Sequence, residues 1–287
     1  MPPSSTATLL PAGFALVGLL GLLVGSFLNV VIHRVPRGES VVRPRSRCPS
    51  CKHEITALDN VPVLSWLALR GRCRKCSAAI SPRYPLVELA TGALFVLIAW
   101  RYGATWLTPL WWMFGSGLVV AAGIDFDERW IPDSISLGGL ALGLGAVPLA
   151  HWQLGAAYTD ALVHSGLGAA LGGGFLWLVG FAHARVSVAL GRKFEHWPGD
   201  GEVLPKPASL DYWTWFPGLG FGDVKLMAAV GAFLGPIGVL YSIVLAALIG
   251  LAFGLAPLLF RREAAPFGFA PAISLAAIAA GLLSTSH

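Results

Sequence analysis

Two groups of residues in this 287-residue chain have types and spacings that could do chemistry. The first is Cys48-Pro49-Ser50-Cys51 with Cys73-Arg74-Lys75-Cys76, two C-x-x-C turns separated by 21 residues. Each tight turn brings two sulfurs to one side, and two such turns supply the four thiolates of a tetrahedral zinc site. With four protein ligands there is no open position for a catalytic water, so this zinc is expected to be structural. Two disulfides or metal-free thiols are the alternatives. Nearby Arg and Lys favour thiolates, and a reducing compartment would disfavour disulfides. His33 and His53 are expected at the surface, because the cysteines already complete the tetrahedron.

The second group is acidic and lies at the edges of apolar runs. One cluster is Gly123-Ile124-Asp125-Phe126-Asp127-Glu128-Arg129-Trp130-Ile131-Pro132-Asp133; the other is Gly220-Phe221-Gly222-Asp223-Val224-Lys225-Leu226. Two carboxyls within hydrogen-bond reach share one proton. One can then activate water for attack on a peptide carbonyl while the other protonates the oxygen or the leaving nitrogen. Gly220 and Gly222 would let a substrate backbone approach Asp223 closely. Plainer readings exist for each neighbour. Asp127 and Glu128 can form a solvated turn with Arg129, Asp133 can cap the next helix, and Lys225 can extend to the headgroups. Spacing alone does not choose Asp125 over Asp127. It also leaves open a proton or ion relay, the mechanism of a transporter, although no internal repeat of the transporter kind is visible. Glu88 lies about one turn inside another apolar run, where an unpaired carboxylate is costly. It reads as neutralised by Arg83 or a neighbouring helix, or as a contact for substrate or cofactor.

These groups need elements to hold them. Hydrophobic residues make up 55% of the chain and charged residues only 12%, with a mean hydropathy of +0.69. An ordinary soluble domain carries about 25% charge. The composition therefore excludes disordered chains and disulfide scaffolds and predicts an all-α polytopic membrane protein. Apolar runs long enough for the bilayer lie at roughly 9–32, 85–100, 106–124, 134–150, 160–182, 224–236, 237–260 and 266–284, giving about eight transmembrane helices. The sixth and seventh form one apolar run, split at Gly235-Pro236 because proline cannot continue the helix bonding.

Eleven of the 20 Lys and Arg residues fall between His33 and Arg83. Placing that segment in the cytoplasm leaves only Arg101 on the outer side, so the net charge of +5 reads as topology. It does not read as a nucleic-acid surface. The first span has no basic flank before it, so it is expected to be an anchor with its N-terminus outside rather than a cleaved signal. The domain reading is a first helix over 1–32, a cytoplasmic four-cysteine zinc domain over 33–84, and seven membrane helices over 85–287 with a polar cytoplasmic loop at 183–219.

The motifs, taken in order, resemble a known family. Gly25-Ser26-Phe27-Leu28-Asn29-Val30, the two cysteine turns, Pro62-Val63-Leu64-Ser65-Trp66 and Ser81-Pro82-Arg83-Tyr84-Pro85-Leu86-Val87-Glu88 come first. Ile124-Asp125, Ile131-Pro132-Asp133 and Gly222-Asp223-Val224-Lys225-Leu226 follow. The chain is similar to type IV prepilin peptidases, membrane aspartyl proteases with a Gly-x-Gly-Asp signature, from about residue 18 to 270.

The resemblance implies cleavage of basic leaders from type IV prepilins and type II secretion pseudopilins at the cytoplasmic face of a bacterial inner membrane. It also implies methylation of the new N-terminus with S-adenosylmethionine. A peptidase without methyl transfer is the variant reading, since no methyltransferase motif is visible. By position, the resemblance selects Asp125 and Asp223 as the catalytic pair. Gly220, Gly222, Lys225 and Glu88 are expected to support the site, and Cys48, Cys51, Cys73 and Cys76 to hold the metal. Membrane lipid is the other expected partner. The chain departs from the family in its long polar segment between Gly191 and Pro217, which reads as a cap or a substrate-docking surface.

Overall fold

A computed structural model describes residues 11–192, 206–214, 218–261 and 268–283. Among those residues the regular structure is helical, with two isolated bridges and no strand, and the segment that carries the four cysteines is mostly turns and loops. Residues 193–205 and 215–217 of the long polar loop, Phe194–Asp200 among them, lie outside the described residues. Among the described residues, six helices are long and apolar enough to cross a membrane. The chain divides into two compact units, Met1–Glu128 and Arg129–His287.

In the first unit, α1 (Pro11–Arg34), α3 (Arg83–Tyr102) and α4 (Leu107–Glu128) pack side by side, and the cysteine segment runs between α1 and α3. Small residues set the α1–α3 distance. A Cβ on Gly25 would lie 2.7 Å from the Glu88 Cα, and one on Gly21 would lie 2.8 Å from the Gly92 Cα. This close approach is how membrane helices associate where lipid removes the hydrophobic drive. Gly21 meets Gly92 while Gly25 meets Glu88, so the two helices run antiparallel. The end of α1 and the start of α3 therefore lie at one end of the unit. Asn29, buried on α1, locks that end by donating to the Tyr84 carbonyl at 3.1 Å. The short helix α2 (Leu64–Ala68) lies inside the cysteine segment.

The second unit contains α5 (Asp133–Gln153), α6 (Tyr158–Ala189), α7 (Leu210–Thr214), α8 (Phe221–Arg261) and α9 (Ala270–Leu283). α6 and α8 press together through glycines: a Cβ on Gly168 would fall 2.0 Å from the Gly231 carbonyl oxygen, and one on Gly172 would fall 2.5 Å from that of Met227. Gly168 and Gly172 form the small-xxx-small spacing that lets backbones touch. The expected sixth and seventh spans are the two arms of α8. Its 41 residues would reach about 60 Å if straight, twice the hydrocarbon thickness, and the helix breaks at Gly235 (φ 69°, ψ −175°). Only glycine adopts that conformation cheaply. The His164 ring fills the space beside it, 1.8 Å from where a Cβ would be. α7 rests on the end of α6, where Trp213 stacks on Phe181 and the Trp177 indole donates to the Trp213 carbonyl.

Candidate active site and metal centre

The two cysteine turns are built alike. Cys48 donates its amide to the His53 carbonyl, and Lys52 donates back to Cys48, both at 2.9 Å. Cys73 and Ala78, with Ser77, repeat the same two bonds at the same length. Lys52 and Ser77 both have positive φ, 58° each, which turns the chain back after the second cysteine of each pair. The four sulfurs lie within 4.8 Å of one another. Cys48 and Cys76 are 3.8 Å apart and Cys51 and Cys73 are 4.0 Å apart. A tetrahedron with metal–sulfur bonds of about 2.3 Å has edges of about 3.8 Å. The donor set thus fits a metal ion, and the distances exclude sulfur–sulfur bonds.

Without a metal, the backbone amides of Cys51 and Ser50 lower the Cys48 thiol to about 6. Cys76 is drawn down by the Ala78 amide, yet burial and the three other sulfurs push it up to about 11. One sulfur carries charge while its neighbour keeps a proton, and a cation would let both ionise. Arg74, within the second turn, grips Asp59 at 2.6 Å and holds that carboxyl below its usual range.

At the α4 end of the first unit, Asp125 is 5% exposed in the last turn. Its neighbours Asp127 and Glu128 are exposed as expected from sequence, but their partners differ from the expected Arg129. Arg83 Nη1 donates to both oxygens of Asp127 at 2.7 and 2.5 Å, and its Nη2 donates to the Gly123 carbonyl at 3.0 Å. Glu128 pairs with Arg37 at 3.4 Å. The physical reason is the antiparallel packing of the helices, which brings cations from the start of α3 and from just after α1 beside the α4 terminus. Gly123 lets Ile32 pack there, since a Cβ would meet it at 2.7 Å.

Glu88 is 8% exposed, and its Oε2 accepts the Val63 amide at 2.7 Å. Arg83 is occupied by Asp127 instead. Val63 has φ 61°, a costly conformation for a β-branched residue, and it opens α2. The carboxylate thus pins a strained turn against a membrane helix. No periodicity or motif in the sequence pointed to Val63 as its partner.

In the second unit, Asp223 is 7% exposed in the first turn of α8. Its Oδ2 accepts the Gly220 amide at 3.2 Å, and its own amide donates to the Gly220 carbonyl at 3.0 Å. These reciprocal bonds fix the carboxylate at the positive end of the helix dipole. Gly222 has a packing role as well: a Cβ there would sit 3.1 Å from the Ile131 Cβ. Lys225 forms an ion pair with Asp133, so the lysine does not simply extend to the headgroups. Asp133 begins α5 without a side-chain capping bond. Arg185 was not singled out from sequence, yet it stacks 3.6 Å from the Tyr212 ring centroid and bonds the Tyr212 carbonyl.

The architecture is that of a multi-pass helical membrane protein with a four-thiolate module and a buried aspartate at a helix end in each unit. Residues 19–102 match the bacterial peptidase A24 N-terminal domain, and residues 112–255 match the type IV leader peptidase family. Proteins named prepilin leader peptidase/N-methyltransferase are similar over nearly the whole length. The Stutzerimonas stutzeri protein is 35% identical across 93% of this chain and 89% of its own. That of Neisseria gonorrhoeae is 34% identical across 95% and 91%. The Myxococcus xanthus protein is 41% identical across 86% of this chain and 64% of its own. No solved structure matches. The chain belongs to the type IV leader peptidase family.

Proposed function

We propose that the chain cleaves the leader from prepilins and related pseudopilins and methylates the new N-terminus. The observation that carries this is the type IV leader peptidase match over residues 112–255, a stretch that contains both Asp125 and Asp223. These are the proposed catalytic carboxylates. Each is buried at a helix end. Asp223 is braced by its bonds to Gly220, and the turn that carries Asp125 is held by Arg83 through Asp127 and the Gly123 carbonyl, as preorganised acid–base groups require. One, ionised, takes a proton from water as it attacks the scissile carbonyl. The other, protonated, gives its proton to the carbonyl oxygen; as the resulting diol collapses it takes that proton back, and the first carboxyl passes the water proton to the leaving nitrogen. Lys225 and Gly222 position Asp223, the lysine through Asp133 and the glycine by admitting Ile131. Gly220 fixes the carboxylate through its amide. Glu88 holds the α2 turn.

The four-cysteine cluster is proposed to hold structural zinc. S-adenosylmethionine would supply the methyl group; among the described residues no strand with a glycine-rich turn marks its seat, and no side chain is assigned to it. The orientation proposed from the basic residues is N-terminus outside and chemistry at the cytoplasmic face of the inner membrane. The segments 1–32, 33–84 and 85–287 are proposed as first helix, zinc domain and peptidase domain. The long polar loop is proposed as a substrate-docking surface.

The test incubates purified protein in lipid with a prepilin-like substrate and S-adenosylmethionine, followed by mass spectrometry. The expected product lacks the leader and carries one added methyl group. Intact substrate would overturn the reading, and a cleaved but unmethylated product would restrict it to the peptidase.

A further inference from the structure

The exposed apolar surface of the cysteine segment points to a contact that the proposed chemistry does not use. The segment leaves α1 and enters α3 at the same end of the first unit, so both tethers hold it against the bilayer. α3 has 20 residues and spans about 30 Å, the full thickness of the hydrocarbon core. Its first turns therefore lie at the hydrocarbon boundary. Glu88 is five residues beyond the α3 start, about 7.5 Å along the axis, and it bonds the Val63 amide directly. That bond fixes the depth of α2, which starts at the next residue. Beside it, Leu58, Leu64 and Leu67 are 82%, 66% and 57% exposed. Leu64 and Leu67 are three residues apart and share a face of α2. Arg70 and Arg72 follow immediately and are exposed; among the described residues they form no ion pair, and neither do Arg43, Arg47, Lys52 and Lys75.

We propose that α2 is an interfacial wedge. Leu58, Leu64 and Leu67 enter the acyl boundary of the phospholipid bilayer, while Arg70 and Arg72 meet lipid phosphates. Apolar side chains beside basic ones suit that layer, where one part of a surface is dry and the next is charged. The depth set by Glu88 and the surplus of positive charge both select lipid over a second protein. The wedge would hold the metal module flat on the membrane, beside the α4 terminus that carries Asp125. This inference is independent of the proposed peptidase chemistry.

The experiment uses the full-length protein reconstituted in vesicles of phosphatidylethanolamine and phosphatidylglycerol. A photo-crosslinking amino acid replaces Leu64, and in separate proteins Leu19 or Val42. Leu19 lies on α1 and reports lipid, whereas Val42 is an exposed residue of the same segment that is not part of α2. Mass spectrometry is expected to find lipid adducts at positions 64 and 19 and few at 42. Adducts at 19 without adducts at 64 would overturn the wedge, as would a position-64 crosslink to polypeptide. As a second measurement, the Leu64→Gln/Leu67→Gln variant is expected to be cut by trypsin at Arg70 and Arg72 several-fold faster, with its metal content unchanged. An unchanged rate with metal retained also contradicts the proposal.

Discussion

Arg83 holds Asp127 with a single terminal nitrogen, which donates to both carboxylate oxygens, and its second nitrogen reaches the Gly123 carbonyl. The arginine at the start of α3 thereby clamps the last turn of α4 on either side of Asp125. An ion pair at this half-exposed position contributes little stability by itself. Its expected effect is on geometry, because a small displacement of Asp125, a proposed catalytic group, would be expensive in rate.

Arg83→Ala is therefore expected to lower leader cleavage by roughly 10- to 100-fold, with little change in thermal stability. Arg83→Lys should recover part of the rate, since lysine can pair with Asp127 but cannot also span to Gly123. Kinetics on purified variants in lipid would measure both.

Lys225 and Asp133 pair across 92 residues of sequence, joining the starts of α8 and α5 in the second unit. Lys225→Ala is expected to slow cleavage by about tenfold through misplacement of the Asp223 turn. The exchange variant Asp133→Lys/Lys225→Asp should be faster than either single change. Equal rates for the double variant and the worse single variant would remove the pairing from the account.

These pairings show where reading by sequence stops. Hydropathy located the membrane helices because an apolar run of bilayer length has few other uses. The break at Gly235-Pro236 and the two cysteine turns were legible because each is a local rule of bonding or ligand spacing. The carboxylates were not so legible. Asp127 reads locally as a partner of Arg129, and its actual partner is 44 residues away. Glu88 reads as needing a cation, whereas a backbone amide on a strained valine satisfies it. Those choices depend on which helix faces which, and chain periodicity contains no record of that.

The glycine contact between α6 and α8 has little tolerance. In Gly168→Val the new Cβ would meet the Gly231 carbonyl at 2.0 Å. The helices must then separate, at a cost of about 1–3 kcal/mol for an overpacked interface. A lowered melting temperature is expected, and Gly174→Ala, where a Cβ meets nothing within 4 Å, serves as the control.

The cysteine module is expected to bind one zinc ion per chain, lost in Cys48→Ser/Cys73→Ser. Acidification should also release it. In the metal-free module Cys48 is lowered from 9.0 to about 6, so its thiolate is fully favoured above pH 9 and is lost as the pH falls through 6. Cys76 is raised from 9.0 to about 11, so its neutral form is the favoured one until the pH rises through about 11. Zinc must displace that proton, and acid restores it. Retention at pH 7 and release below about pH 6 are expected from a zinc-sensitive dye.

The central claim concerns Asp125 and Asp223, and the most direct measurement is leader cleavage by Asp125→Asn and Asp223→Asn. Asparagine keeps the shape of aspartate and can neither take the water proton nor return it. Each protein would be assayed in lipid after its melting temperature is shown to match wild type. The account predicts that both variants leave the prepilin intact. Cleavage at or near the wild-type rate by either one would contradict it.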